Sequence, residues 1–242
     1  MLKGIDVSKW QNIGDYKDSR DLGHTDFMIV KATEGRTYTD PKFSQHIDYA
    51  KSNNMLLGAY HYARPDNGND PEAEAANFVN ALRSKNLIGD VLMALDWEAK
   101  SLSFSAEWAL RWLREVYRLT GVKPVIYMSS SNIKKFGVIA SEDFGLWVAN
   151  WTREPSSNMI APWPVKALWQ KRGAPLDLDI FYGDIATWKL YCRSALTDET
   201  KNEDETKNET CNESKCKCCE EVIRKIIEAL SEHIERRFGK TL

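Results

Sequence analysis

The first 190 residues alternate between two periodicities. Apolar runs at 2–7, 27–32, 55–62, 91–97 and 125–128, rich in β-branched, aromatic and aliphatic residues, read as strands. Between them, apolar spacings of three and four mark amphipathic helices near 41–54, 71–86 and 105–120. The second helix carries start signals: Asp70 at the N-cap, Pro71 at the first helical position, Glu72 and Glu74 in the first turn. In the third, Ser105 is the expected cap, and Trp108, Leu110, Trp112, Leu113, Val116 and Leu119 form the buried stripe. After residue 138 the rhythm changes. Runs at 146–149, 165–170 and 176–181 read as strands with no long helix between them. Strand–helix alternation predicts parallel strands in a barrel or a doubly wound sheet, and about five such units followed by closely spaced strands favour an incomplete or irregular βα barrel.

Composition changes this picture only at the C-terminal end. All nine Trp lie at or before Trp188, and four of the five Cys (211, 216, 218, 219) fall close together late in the chain. This sets a boundary near 192, with a charged low-complexity linker over 193–215 and an amphipathic helix over 216–242. The hexapeptide Asp-Glu-Thr-Lys-Asn-Glu occurs at 198–203 and again at 204–209, and such a segment has nothing with which to build a core. Asn208 and Asn212 match the glycosylation sequon, which chance explains in so Asn- and Thr-rich a linker. Cys216, Cys219, Ile223, Ile226 and Leu230 then follow alternating spacings of three and four, with Val222, Ile227 and Ile234 widening the stripe. A helix of this length is marginal alone and must bury its stripe against a partner. The cysteine spacing fits no recognised zinc pattern, and Cys216 and Cys219 fit the helix seam.

Charge excludes some partners. A formal net charge of −2 gives no basic field for nucleic acid or an anionic membrane surface. No run is long and apolar enough to insert in a membrane, and the N-terminus shows no signal-peptide pattern.

Three segments carry candidate chemistry. The strand at 91–97 runs into Asp96-Trp97-Glu98, and alternation puts Ala94, Asp96 and Glu98 on one face, Leu95 and Trp97 on the other. Two carboxyl groups about 6.5 Å apart along a strand raise one another's pKa, which is how one site keeps a protonated acid beside an ionised carboxylate. Glycoside hydrolysis needs such a pair. Taken alone, the pair reads at least as well as a solvated strand end. Asp6 lies near the end of the first strand, where βα barrels build their sites. Asp177 and Asp179 share one face of the last strand. Each of these also reads as an ordinary cap or turn carboxylate.

Together these segments resemble the glycoside hydrolase family 25 muramidases, the Chalaropsis-type lysozymes common among phage endolysins. The resemblance rests on motifs in the family's order over residues 1–190. They are Asp6-Val7-Ser8-x-Trp10-Gln11, Lys31-Ala-Thr-Glu-Gly35, Gly58-Ala-Tyr-His-Tyr62-Ala-Arg64-Pro65 and Leu95-Asp96-Trp97-Glu98. Pro124-Val-Ile-Tyr127, Leu146-Trp147-Val148-Ala149, Leu168-Trp169-Gln170 and Asp177-Leu178-Asp179-x-Phe181 follow. The chain departs from the family at Asp179, usually Asn, at Trp151, usually Tyr, and in a short 170–177 stretch.

The resemblance implies an irregular TIM-like (βα)5β3 barrel over 1–192. It implies cleavage of the β-1,4 bond between N-acetylmuramic acid and N-acetylglucosamine in peptidoglycan, without metal or organic cofactor. Glu98 matches the general acid and Asp96 its neighbouring carboxylate; Asp6 and Asp177 match two further acids of the groove. Retention of configuration follows; if the substrate's 2-acetamido group is the nucleophile, Asp96 orients and stabilises it. Lys31, Tyr38, Tyr62, Tyr127, Trp147 and Gln170 match substrate-binding positions, although core packing also explains the aromatics. A non-catalytic wall-binding protein on the same barrel is the alternative, and the complete acid set argues against it. The missing leader implies synthesis in the cytoplasm of a bacterial host and action on the wall after release, as for an endolysin. The C-terminal helix is then expected to form a homo-oligomer, with a wall-binding module as its rival.

Overall fold

A computed structural model of the chain describes residues 1–12, 25–98 and 100–195. The linker beyond Ala195, the C-terminal helix and Cys211, Cys216, Cys218 and Cys219 lie outside the described residues. Nine strands form one sheet: β1 (Leu2–Val7), β2 (Phe27–Glu34), β3 (Tyr38–Thr39), β4 (Leu56–Tyr62), β5 (Val91–Asp96), β6 (Val125–Ser129), β7 (Gly145–Ala149), β8 (Leu168–Arg172) and β9 (Asp177–Phe181). Six pairings from β1 through β2, β4, β5, β6 and β7 to β8 are parallel. β9 then inserts antiparallel between β8 and β1 and closes the barrel, while β3 hangs on β2 as a short outer strand. This is the irregular eight-stranded barrel that the alternation predicted.

Helices α1 (Phe43–Ser52), α2 (Pro71–Arg83) and α3 (Ala106–Thr120) lie where the 3.6-residue pattern placed them. After β6 the described residues form only a 3-10 turn (Ile133–Phe136) and the one-turn helices α4 (Gly137–Ala140) and α5 (Ser157–Ile160) before α6 (Ile185–Cys192), so the change of rhythm after 138 is real. Two local expectations differ. Asp70 and Ser105 take the extended N-cap backbone, but neither side chain bonds its helix. β8 starts at Leu168 rather than 165, because Pro164 supplies no donor and Val165 points to solvent.

Period-two alternation separates two buried layers. On β5, Val91, Met93, Leu95 and Trp97 face the helices, while Leu92 and Ala94 face the barrel interior. Asp96 continues the inward set. The interior is filled by large rings, among them Phe27, Tyr127, Trp147 and Phe181, with α6 bringing Trp188 onto Phe27 and Phe181. Room for these rings comes from absent side chains. A Cβ on Gly4 would overlap the Phe27 ring, and one on Gly58 would stand 2.9 Å from Ile29. With its floor packed by aromatics, the barrel is open to ligands only at its mouth, where the parallel strands end.

Candidate active site

Register brings the inward side chains into one ring. Tyr62, Asp96 and Tyr127 stand in one row across β4, β5 and β6, and Asp6 faces Asp177 across β1 and β9. These residues, with Glu98, Lys31, Trp147 and Gln170, line one cavity of about 270 Å³. Tyr38 lies apart, in an adjoining depression. Every residue expected to act therefore reaches the barrel mouth, and all but Tyr38 reach the same cavity.

Gln170 organises the floor. Its Nε2 donates to Asp6 Oδ2 at 2.8 Å, while its Oε1 accepts from the Tyr127 hydroxyl (2.9 Å) and from Trp151 Nε1 (3.0 Å). The amide orientation is fixed by this set, since a carboxylate needs the donor end and a phenol and an indole need the acceptor. Trp147 Nε1 donates to Asp179 Oδ1 at 2.9 Å. The other Asp179 oxygen is buried with no donor facing it. A proton on Asp179 resolves this, because an O–H there can donate to Asp6. Burial, reinforced by Asp6, lifts the Asp179 pKa well above the ordinary carboxylate range.

Burial dominates the other acids as well. Asp6 is raised to about 6, with Gln170 and Asp179 opposing the shift. Asp177 is raised to about 8 by burial, then by Asp6 and Glu98. Asp96 is lifted well above 3.8 by burial and by Glu98, against the pull of Lys31; Glu98 is raised by burial and held back by Lys31. Five carboxyl groups at one barrel mouth cannot all ionise, so the ring holds protons at neutral pH and titrates as a coupled set.

Lys31 is the cation within this ring. Its Nζ lies 2.8 Å from Glu34 Oε2 and 4.7 Å from the centre of the Tyr62 ring. Arg64 Nη1 holds the other Glu34 oxygen at 2.7 Å and pairs in turn with Asp66. Behind β4, wholly buried His61 bonds Thr33 at 2.7 Å and Glu74 at 2.8 Å, and Glu74 also accepts from the Arg64 backbone N–H. This buried chain of bonds fixes the strand end that carries Tyr62 and Arg64.

Two side chains that the sequence motifs include or adjoin, but to which sequence alone assigns no role, flank the cavity. Trp10 is 78% exposed and Trp151 63% exposed, both beside the acids. Trp151 lies across Gly173, where a Cβ would overlap its indole. On the far side of Trp151 the groove continues into a second bay of about 370 Å³, walled by Trp97, Leu102, Asn132 and Asn150. Exposed aromatic faces beside polar edges suit sugar rings. Among the described residues, no cluster of His, Cys, Asp and Glu is arranged to hold a metal ion.

The family model for glycosyl hydrolases family 25 matches residues 5–173, a span that runs from within β1 to the end of β8 and holds both Asp96 and Glu98. The chain belongs to glycosyl hydrolases family 25. It is a glycoside hydrolase with lysozyme activity, and peptidoglycan is its substrate. A relative in Escherichia coli K12, the uncharacterized protein YegX, is 30% identical over 203 residues, covering 76% of this chain and 71% of that one. Among solved structures, the muramidase from Trichobolus zukalii is similar at 26% identity with a TM-score of 0.62, covering 79% of this chain and 99% of that one. The catalytic domain of endolysin ply40 from bacteriophage P40 of Listeria monocytogenes is similar at 25% identity with a TM-score of 0.56, covering 78% and 98%.

Proposed function

We propose that the family 25 chain cleaves the β-1,4 bond between N-acetylmuramic acid and N-acetylglucosamine with retention of configuration. Glu98 protonates the leaving glycosidic oxygen. Asp96 faces the 2-acetamido group of the sugar on the other side of the bond and stabilises the positive charge that develops there. The observation that carries this reading is the pair itself: buried Asp96 at the end of β5 and exposed Glu98 two residues on, both lining the cavity, with Glu98 raising Asp96 and Lys31 as the nearby cation. Burial lifts Asp96 strongly. Positive charge on the substrate favours the ionised form of Asp96, which leaves the shared proton on Glu98, where the leaving group needs it. Trp10 and Trp151 supply faces for the flanking sugars, and Gln170 holds Asp6 and Tyr127 in place beneath them.

Glu98→Gln tests the assignment. The variant should fold as the parent does and release no reducing ends from purified peptidoglycan. Full activity would remove Glu98 from the role of acid. Mass spectrometry of the digestion products names the bond, and products ending in reducing N-acetylglucosamine would refute the muramidase reading. We further propose that the enzyme works as a phage endolysin that acts on the wall of its bacterial host. The heptad-like stripe of 216–242 supports a homo-oligomer that gathers several catalytic barrels on one wall surface.

A further inference from the structure

We propose that the depression beside Tyr38 is a subsite for the carboxylates of the peptide stems that peptidoglycan carries on its muramic acid. This rests on the reading of the barrel mouth as a muramidase site. The depression encloses about 320 Å³ and is lined by Lys9, Arg36, Arg64 and Glu34, with Asn67 and Asn69 at its rim. Three cations against one carboxylate make it positive, in contrast to the acid ring next door. Glu34 already holds Arg64 and Lys31. Lys9 and Arg36 are exposed and, among the described residues, have no carboxylate partner. Lys9 Nζ is instead poised 4.9 Å from the Trp10 ring and 5.4 Å from the Tyr38 ring.

Position ties the depression to the reaction. Lys31 lines the catalytic cavity and bonds Glu34, which lines the depression, so one ion pair separates the two. The bay on the opposite side, beyond Trp151, has no cation in its wall. The groove is thus polarised: an aromatic bay whose one charged lining residue is Glu98, an acidic centre, then a cationic recess with neutral amide donors. A glycan strand without stems carries only the lactyl carboxylate, held close to the sugar ring by its short ether, whereas a stem extends its carboxylates away from the strand. Peptide stems carry free carboxylates, and planar guanidinium and amide donors match them.

The test removes the two unpaired charges and varies the substrate. Wild type and the double variant Lys9→Gln, Arg36→Gln are compared on two soluble preparations, both freed of phosphate-bearing wall polymers: peptide-bearing strands, and the same strands stripped of peptides by an amidase. On peptide-bearing strands the variant should show KM raised about fivefold with kcat kept, the scale expected for two exposed charge contacts. On stripped strands the two proteins should match. Equal kinetics on both substrates, or an equal loss on both, overturns the subsite. So does a response that appears only when the phosphate polymers are left in place, which would assign the recess to those polymers. A wild type that releases no reducing ends from either preparation overturns the muramidase reading itself, a result distinct from the others.

Discussion

The protonated acid ring makes the stability of this enzyme depend on pH in a direction opposite to that of most paired carboxylates. Asp6 is the best place to measure it, being wholly buried with its pKa raised from 3.8 to about 6. Below about pH 4 both folded and unfolded chains hold the proton, and its stabilising contribution is fully present. Between about pH 4 and about pH 6 the unfolded chain releases the proton while the folded chain keeps it, so stability falls as pH rises. At about 1.36 kcal/mol per tenfold change in affinity, the fall from Asp6 is about 3 kcal/mol. Asp6→Asn should remove it. The amide introduced by Asp6→Asn can still accept from Gln170 Nε2 and can donate to Asp179, so the bonding of the floor survives. Neighbouring Asp177 and Asp179 are each raised partly by Asp6 and should relax with it. Urea unfolding followed by tryptophan fluorescence between pH 4 and pH 8 gives the curve. The substituted protein should gain on wild type by about 3 kcal/mol across that interval, while lysing walls more slowly. Parallel curves for the two proteins would refute the assignment of a buried, protonated ring.

Other outcomes follow from the same contacts. Gln170→Ala strands the Tyr127 hydroxyl and the Trp151 indole and frees Asp6; about 2–4 kcal/mol of stability should go, with kcat/KM falling more than KM rises, by denaturation and steady-state assay. Gly4→Ala drives a methyl into the Phe27 ring and should cost at least about 1–3 kcal/mol, read as a drop in Tm. Removing residues 196–242 should convert an oligomer to a monomer by light scattering with hydrolysis of soluble strands unchanged; monomers in both forms would end the oligomer proposal. The cut falls after Ala195 because Ser194 and Ala195 still bond Thr120 and Gly121 at the end of α3.

Much of the site was legible because alternation along a strand is a local property. Ala94, Asp96 and Glu98 had to share a face, and so did Asp177 and Asp179, whatever the rest of the chain did. The succession of strands and helices along the chain and the loss of helices after 138 were legible for the same reason. What stayed hidden was set by distance in sequence. Gln170 and Asp6 are 164 residues apart, and nothing in either segment names the other. Asp179 stood out as a departure from the family pattern, yet its role as the proton-bearing partner of Asp6 needs the β1–β9 pairing. Glu34, the partner of Lys31, is only three residues away, but the fold alone shows which carboxylate turns toward it. Trp10 and Trp151 sit in loops, where no periodicity signals which way a side chain points. The unmade Asp70 and Ser105 caps show the same limit at the scale of one hydrogen bond.

The last strand to be made lies beside the first. Asp6 enters the ring from β1 and Asp177 and Asp179 from β9, so the acid cluster does not exist until the antiparallel insertion closes the barrel. A nascent or truncated chain ending before residue 177 can form β1 to β8 and still lack two of the ring's five carboxyl groups and the partner strand that holds Asp6. Assembly of the ring therefore waits for β9, the strand that the barrel receives after the other seven of its wall.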